Sequence, residues 1–265
     1  MAAKRVTKQD IYNEYDINYD ASTGKIFAPV FGWINPLLID GNEKIGKGIY
    51  HFSMLPTNRI YHVVINDKEY DILGTCICFC DGCYATKGNY NYDSTIVSNA
   101  IKTYLARHYL DFVYRAISAQ IKADKVKALR IHASGDFFSK EYADMWYKIA
   151  SENSACIFWT YTKVLEYETL FDSLSNANIV KSIIPTKGFN FGHCDYILAC
   201  YEFLKSIGAS VYICKCGIDK NQHCTNCKAC SEHDFVLFIE HSTSYKAEKD
   251  PLFPVLKALI EAQAD

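Results

Sequence analysis

Between Cys76 and Ala85 the chain reads CICFCDGCYA, four thiols in eight residues. Three of them, Cys76, Cys80 and Cys83, form a Cys-x3-Cys-x2-Cys pattern directly after a short apolar strand signal. That spacing lets three sulfurs of one loop converge on a single metal centre. Thiolates are soft ligands, the kind that zinc and iron–sulfur clusters prefer. The two readings differ at the fourth position. Structural zinc wants a closed tetrahedral shell and would recruit Cys78 or a distant Cys or His, whereas a [4Fe-4S] cluster on three cysteines leaves one iron open to a small molecule.

A second group follows late in the chain: Cys214-Lys215-Cys216, then Cys224-x2-Cys227-x2-Cys230. The Cys-x2-Cys-x2-Cys run is similar to a ferredoxin ligand run, which an upstream cysteine, Cys214 or Cys216, completes to four. Four protein thiolates make a closed site, either an auxiliary [4Fe-4S] cluster or a structural zinc ribbon of overlapping spacing. His223 beside it reads as a loop residue. Of the twelve cysteines, only Cys156, Cys194 and Cys200 lie outside these two groups, and they read as buried structural thiols. Tight clustering of the rest points to metal in a reducing compartment rather than to disulfides.

Such loops must be held by regular elements, and from residue 70 strand and helix signals alternate. YDILG is a strand that leads into the cysteine loop. An amphipathic helix from about Ser94 to Ala123 then repeats Val97, Ile101, Tyr104, Leu105, His108, Phe112, Ala116 and Ile117 along one face, which makes His108 a core or interface histidine. ALRIHAS (strand), SKEYADMWYKIASE (helix), SACIFWTYTK (strand), EYETLFDSLSNA (helix), IVKSIIPT (strand), CDYILACYEFLKSIG (helix) and ASVYICK (strand) complete the series. Alternation of this kind implies βαβ units and a parallel sheet, and about five in succession imply a partial or full βα barrel with ligands at the carboxyl ends of its strands. The expected α/β fold has an N-terminal cap or lead-in segment over 1–69, a barrel core over 70–213 and a C-terminal cysteine-rich region over 214–265, in one compact unit. In the cap, KIFAPVF and YHVVIND read as strands and NEKIGKGIYHFSMLP as a glycine-punctuated loop. In the last region, FVLFIEH reads as a strand and Asp250-Pro251 as the start of a closing helix.

The first cysteine loop resembles that of the radical S-adenosylmethionine (SAM) superfamily, whose open iron binds the amino and carboxylate groups of SAM. That resemblance implies a further set of residues. Ser134, Gly135 and Asp136, at the end of the second strand, stand where the superfamily carries a Gly-Gly-Glu element for the SAM amino group. A Ser-Gly-Asp turn in which Asp136 or Ser139 caps the next helix is the ordinary alternative. By its place at the end of the third strand, Trp159-Thr160-Tyr161-Thr162-Lys163 offers Thr160 and Lys163 for ribose hydroxyls or a carboxylate, with a solvated strand end as the equal alternative. Pro185-Thr186-Lys187-Gly188 ends the fourth strand similarly. Two departures stand out: Gly82 replaces the usual aromatic residue before the third cysteine, leaving Tyr84 as the nearby ring, and Cys78 is an additional thiol inside the loop. Taken in order, NEKIGKGIYHFS, CDGCYA, RIHASGDFF, WTYTK and CTNCKAC resemble a phage family called gene-product-eighty-eight-like, over about residues 40–240.

The expectation from these readings is a radical SAM-type enzyme that binds two [4Fe-4S] clusters and SAM, takes electrons from an external donor and modifies an unknown nucleotide, nucleic-acid base or peptide. The alternative is a non-catalytic zinc or iron–sulfur protein that recognises nucleic acid or a host protein. Aromatic residues at 14% offer stacking surfaces, but a formal charge of -2 argues against tight phosphate binding. No apolar run approaches the roughly 18 residues of a membrane span, and MAAKRVTKQD lacks the apolar core of a secretory signal. The expected setting is the cytoplasm, the host's if a phage encodes the chain.

Overall fold

The computed structural model describes residues 5–41, 45–77, 83–181, 193–215, 218–219, 222, 224–239 and 246–263. Helix α1 (Lys8–Glu14) opens on a capping box in which the Thr7 hydroxyl accepts from Asp10 N and Asp10 accepts from Thr7 N. Strands β1 (Tyr19–Asp20), β2 (Lys25–Ala28) and β3 (Gly32–Ile34) form an antiparallel sheet, so KIFAPVF makes one strand and the turn out of it. Next come β4 (Ile39–Asp40) and β5 (Ile49–His51), then the hairpin of β6 (Ile60–Ile65) and β7 (Lys68–Leu73). The hairpin turns on Asn66 and Asp67, both at positive φ, as a two-residue turn matched to strand twist demands.

After the cysteine loop, α2 (Asp93–His108) and α3 (Leu110–Asp124) lead to β8 (Ala128–Arg130), α4 (Lys140–Glu152), β9 (Ile157–Thr162) and β10 (Ala177–Lys181). The chain continues through α5 (Cys194–Ser206), β11 (Val211–Ile213), α6 (Ala229–Glu232), β12 (Phe235–Leu237) and α7 (Phe253–Ala262). The central sheet has the order β4-β5-β8-β9-β10; β5, β8, β9 and β10 are parallel, while β4 is an antiparallel edge. Its parallel strands are neighbours in chain order. Strands β11 and β12 form a separate parallel pair.

Several expectations change. The first parallel strand is β5, inside the stretch read as a loop; β7 pairs with β6 instead. The burial of β6 alternates strictly along its length, the mark of a half-exposed antiparallel hairpin rather than of a strand buried on both faces. Strands β4 and β5, from the segment 1–69, are part of the central sheet. The long helix is two helices, broken at Tyr109 (φ -139, ψ 49). Phe112, Ala116 and Ile117 are buried as expected, but α2 turns Asn99, Ala100, Lys102, Thr103, Leu105 and Ala106 inward and leaves His108 exposed against the Tyr104 ring. EYETLFDSLSNA holds only a 3-10 turn at Leu165–Tyr167 before further turns. Helix α7 starts at Phe253 with Pro254 in its first turn, and Asp250 Oδ1 accepts from Leu252 N ahead of it.

The main core lies between the sheet and α1, α3 and α4, around Leu129, Phe158, Ile117 and Trp146. Gln120 of α3 closes it at one edge, its amide bonded both ways to the backbone of Leu38. A second apolar cluster joins α5, β11 and α7 through Ile197, Ile213 and Leu256.

Candidate functional site

Burying a polar group is costly unless it finds a partner, so a concentration of buried polar side chains marks a place kept for a reason. Most of the buried polar residues here, among them Ser53, Thr75, Asn99, Lys102, Thr103, Ser134, Asp136 and Thr162, gather at the carboxyl ends of β5, β8 and β9 and on the facing side of α2. Met54 and Ser134 extend β5 and β8: Met54 N donates to Ser134 O (3.0 Å), and Ser134 Oγ donates to Met54 O (2.7 Å). Thr103 Oγ1 accepts from Leu55 N at 2.9 Å, while Asn99 Nδ2 reaches Ser134 Oγ at 3.5 Å.

The cysteine loop is pinned to this layer at both shoulders. Thr75 Oγ1 donates to Leu55 O (3.0 Å) and accepts from Asp136 N (3.2 Å), and Cys76 N donates to Thr57 O (3.0 Å). Arg107 of α2 donates to Gly74 O at 3.0 Å and lies over the Phe138 ring at 4.4 Å. On the far side, Thr86 N and Oγ1 donate to Cys83 O, and Tyr90 Oη donates to Ala133 O at 3.2 Å. A small cleft lies beside this shoulder, lined by Arg59, Tyr61, Tyr90 and Asn99.

Gly135 sits at φ +87, and a Cβ there would come within 2.6 Å of Thr75 Oγ1 and 3.1 Å of Met54 Cβ. Only glycine meets both demands, the left-handed backbone and the close approach of the two loops. Asp136 follows. Its Oδ1 accepts from Thr162 Oγ1 (2.8 Å) and Phe137 N (2.8 Å), and its Oδ2 from Lys163 N (3.1 Å). Burial raises its pKa above the ordinary carboxylate value, against the pull of those three donors. A carboxylate offers about four lone-pair sites, so Oδ2 retains room for one more donor.

Of the residues expected to bind a cofactor, Ser134, Gly135 and Asp136 thus stand together beside the root of the cysteine loop. Lys163 joins them through its backbone N–H. Thr160 does not: it is fully buried on the helix-facing side, 3.4 Å from His132 Nδ1, and Thr162 is the β9 hydroxyl that reaches Asp136. The side chain of Tyr84 lies outside the described residues, as do Cys78, Cys80, Gly82 and 185–188. His132 is a structural residue: its Nε2 is 2.8 Å from Tyr142 Oη, and burial first, then Arg130, push its pKa down to about 3, so it stays neutral. Sequence reasoning missed Thr75, Asn99, Lys102 and Thr103. The polar i, i+3, i+4 stripe of the last three was the available signal.

The second cysteine group lies on the opposite face of the sheet, where Ile49, Ala128, Trp159 and Tyr161 point. Cys224 and Cys230 pack there, and Cys214, Cys227 and Cys230 pack against Val180 and Tyr212. Tyr161 Oη donates to Cys230 Sγ at 2.7 Å under the Arg130 guanidinium, which is 5.0 Å from the Tyr161 ring. Asn178 Nδ2 donates to both Cys230 O and His233 O at 2.9 Å, tying α6 to β10. Burial pushes the Cys230 thiol up to about 12; the Tyr161 hydrogen bond opposes this and the nearby Cys224 and Cys227 reinforce it. Four of the five expected ligands, Cys214, Cys224, Cys227 and Cys230, are described, and they do not close on one another as a metal centre in this structure. Among the described residues, no three His, Cys, Asp or Glu side chains stand in a metal-holding arrangement; Cys80 and Cys216, which belong to the expected sets, are outside them. Cys156 and Cys194 are buried and Cys200 is partly so. Among the described residues, no helix is long and apolar enough to cross a membrane.

A family model described as Gene product 88 matches residues 38–186, more than half of the chain, from β4 through the cysteine loop and past β10. The Gene 88 protein of Mycobacterium phage L5 is 33% identical over 85 residues, which cover 28% of this chain and 36% of that protein. The chain therefore spans about a third of that relative's length. No solved structure matches.

Proposed function

The chain belongs to the Gene product 88 family, and we propose that it is a radical SAM-type iron–sulfur enzyme acting in the host cytoplasm. The observation that carries this reading is the Thr75 hydroxyl. It joins the residue before Cys76 to the backbone of Asp136 across 61 positions of sequence, and so sets a three-cysteine loop against a Ser-Gly-Asp turn at the carboxyl ends of parallel strands. A metal loop and a buried carboxylate with a spare lone pair, side by side, are what an amino acid-like cofactor needs.

On this reading Cys76, Cys80 and Cys83 hold one cluster, and Cys224, Cys227 and Cys230 with Cys214 or Cys216 hold an auxiliary one. The bound cluster and SAM together supply one-electron cleavage of the sulfonium and, through it, hydrogen abstraction from a substrate. The protein's own groups orient and enclose. Asp136 would be the residue to hold the SAM ammonium, through the lone pair that Oδ2 retains. Thr162 and the backbone of Phe137 and Lys163 hold that carboxylate in place, and Thr75, Arg107 and Tyr90 fix the loop. The parallel order of β5, β8, β9 and β10 supports reading the fold as a βα barrel. An external one-electron donor and a substrate of nucleotide, base or peptide class are the partners.

The test is chromatographic detection of 5′-deoxyadenosine and methionine after anaerobic incubation of the reduced, iron-loaded protein with SAM. Wild type should form both. Cys76→Ala and Cys83→Ala should form neither, and Asp136→Asn should require at least tenfold more SAM. An iron-replete wild type that leaves SAM intact would overturn the proposal and favour the binding-protein alternative.

A further inference from the structure

Among the described residues, the hairpin of β6 and β7 is a sheet of two strands, each with an outer edge that pairs with no further strand. Arg59 O accepts from Gly74 N at 2.9 Å, and backbone bonding alternates from there along the register. Tyr61, Val63 and Ile65 therefore exchange their bonds with Ile72, Tyr70 and Lys68. The N–H and C=O groups of Ile60, His62 and Val64 point the other way, out of the hairpin. These three residues also carry the outer face of the strand, since Tyr61, Val63 and Ile65 are buried beneath it. Ile60 is 56% exposed and Val64 60%, and Leu73, the register partner of Ile60, is 46% exposed. His62 stands between the two aliphatic residues, its Nδ1 2.6 Å from Asp71 Oδ1.

An exposed strand edge with apolar side chains is a template for another strand, and proteins guard such edges with charge, proline or a bulge. Strand β7 is guarded, with Lys68, Glu69 and Asp71 exposed along it. Strand β6 reads IYHVVI and has no acid, lysine or proline. We propose that the β6 edge pairs antiparallel with β6 of a second copy of this chain, about a twofold axis between the two His62 residues, so that two hairpins join into one sheet. The spacing selects this occupant. A twofold contact needs a self-complementary patch, and Ile60 and Val64 lie at equal distances on either side of His62. Ile60 then falls opposite Val64 of the second copy, Val64 opposite Ile60, and His62 opposite its counterpart, each His62 still tied to its own Asp71. Every residue whose backbone groups point outward meets another of the same kind, as an antiparallel ladder requires. The exposed aliphatic side chains become cross-strand pairs, with Leu73 continuing the row beside Ile60. A contact of this size makes a weak dimer whose population follows concentration, not a permanent one.

The test is light scattering on a sizing column at low and high protein concentration, for wild type, Val64→Pro, Val64→Lys and Glu69→Pro. Wild type should rise from monomer towards dimer mass as concentration increases. Val64→Pro deletes only an outward N–H, a place where an edge strand tolerates proline, so it should melt within a few degrees of wild type and stay monomeric. Val64→Lys sets a charge against Ile60 of the second copy and should stay monomeric as well. Glu69→Pro, the matching change on β7, should leave dimerisation intact. A wild type that is monomeric throughout, a dimer that persists in both Val64 variants, or a dimer abolished in a folded Glu69→Pro protein would each overturn the proposal. Should Val64→Pro fail to fold, Val64→Lys decides, because its side chain lies in solvent in the monomer. None of these readouts needs iron or SAM, so this inference and the proposed function fail separately.

Discussion

At the scale of single residues, Thr75 and His51 carry claims that can be measured. The Thr75 hydroxyl serves two buried backbone groups, Leu55 O and Asp136 N. Thr75→Val keeps the shape and leaves both unserved, at a cost of about 1–3 kcal/mol each. Urea unfolding should show that loss, and Thr75→Ser should recover most of it; a valine variant within ~0.5 kcal/mol of wild type would mean the hydroxyl does not join the loops. His51 sets a pH dependence. Burial, then Lys102 and Arg130, hold its pKa at about 4 in the folded protein against 6.5 ordinarily. The unfolded chain takes up a proton first as pH falls, so this contribution is complete above about 6.5 and is lost on the way down to about 4, on the order of 3 kcal/mol in all. His51→Gln should flatten the stability curve in that window while His132, with a folded pKa of about 3, continues to lower it. An unchanged slope in the variant would contradict the burial of a neutral His51. Cys78→Ala tests the cysteine loop at the same scale: iron content should be unaffected, and its loss would make Cys78 a ligand.

At the scale of elements, the cysteine loop is suspended between a hairpin and a helix rather than at the end of a sheet strand, so its position rests on contacts distant in sequence. Gly74 is one of them. A Cβ there would stand 2.2 Å from Pro56 O and 2.4 Å from Thr57 O. Gly135→Ala should destabilise the fold by at least about 1–3 kcal/mol from its left-handed backbone, and further from its clash with Thr75. A near-neutral alanine, measured by thermal unfolding, would show that the two loops can move apart. These contacts also explain what sequence could and could not reveal. Cysteine spacing and the Ser-Gly-Asp turn are local patterns, so both were legible. Strand β5 has only three residues behind two glycines, too few to show a period of two, and the stronger alternation of β6 and β7 drew the strand assignment away from it. Tyr109 breaks the long helix without a proline or glycine to announce it. The inward turn of Lys102 runs against the rule that lysine faces solvent, so periodicity found Val97, Ile101, Tyr104 and Leu105, which do pack on the core, and passed over their buried polar neighbours Asn99, Lys102 and Thr103.

At the scale of the molecule, the family match over 38–186 takes in the sheet, the first cysteine loop and the Ser-Gly-Asp turn, and stops before the second cysteine group. The shared part therefore contains the whole of the site proposed to bind SAM, and the second cysteine group lies outside it, on the other sheet face. Its cysteines run from Cys214 to Cys230 and pack against β11, α6 and, through Tyr161 and Asn178, the central sheet. Metal removal by an iron chelator should accordingly lower the melting temperature of wild type, because metal held by folded ligands stabilises the fold by mass action. A melting temperature indifferent to the chelator would separate the second group from stability.

The central claim is an open-iron cluster beside Asp136, and electron paramagnetic resonance of the reduced, anaerobically reconstituted protein, with and without SAM, tests it most directly. The account predicts two [4Fe-4S] signals, one of which changes when SAM is added and disappears in Cys76→Ala. Zinc in place of iron, or signals indifferent to SAM, would contradict it.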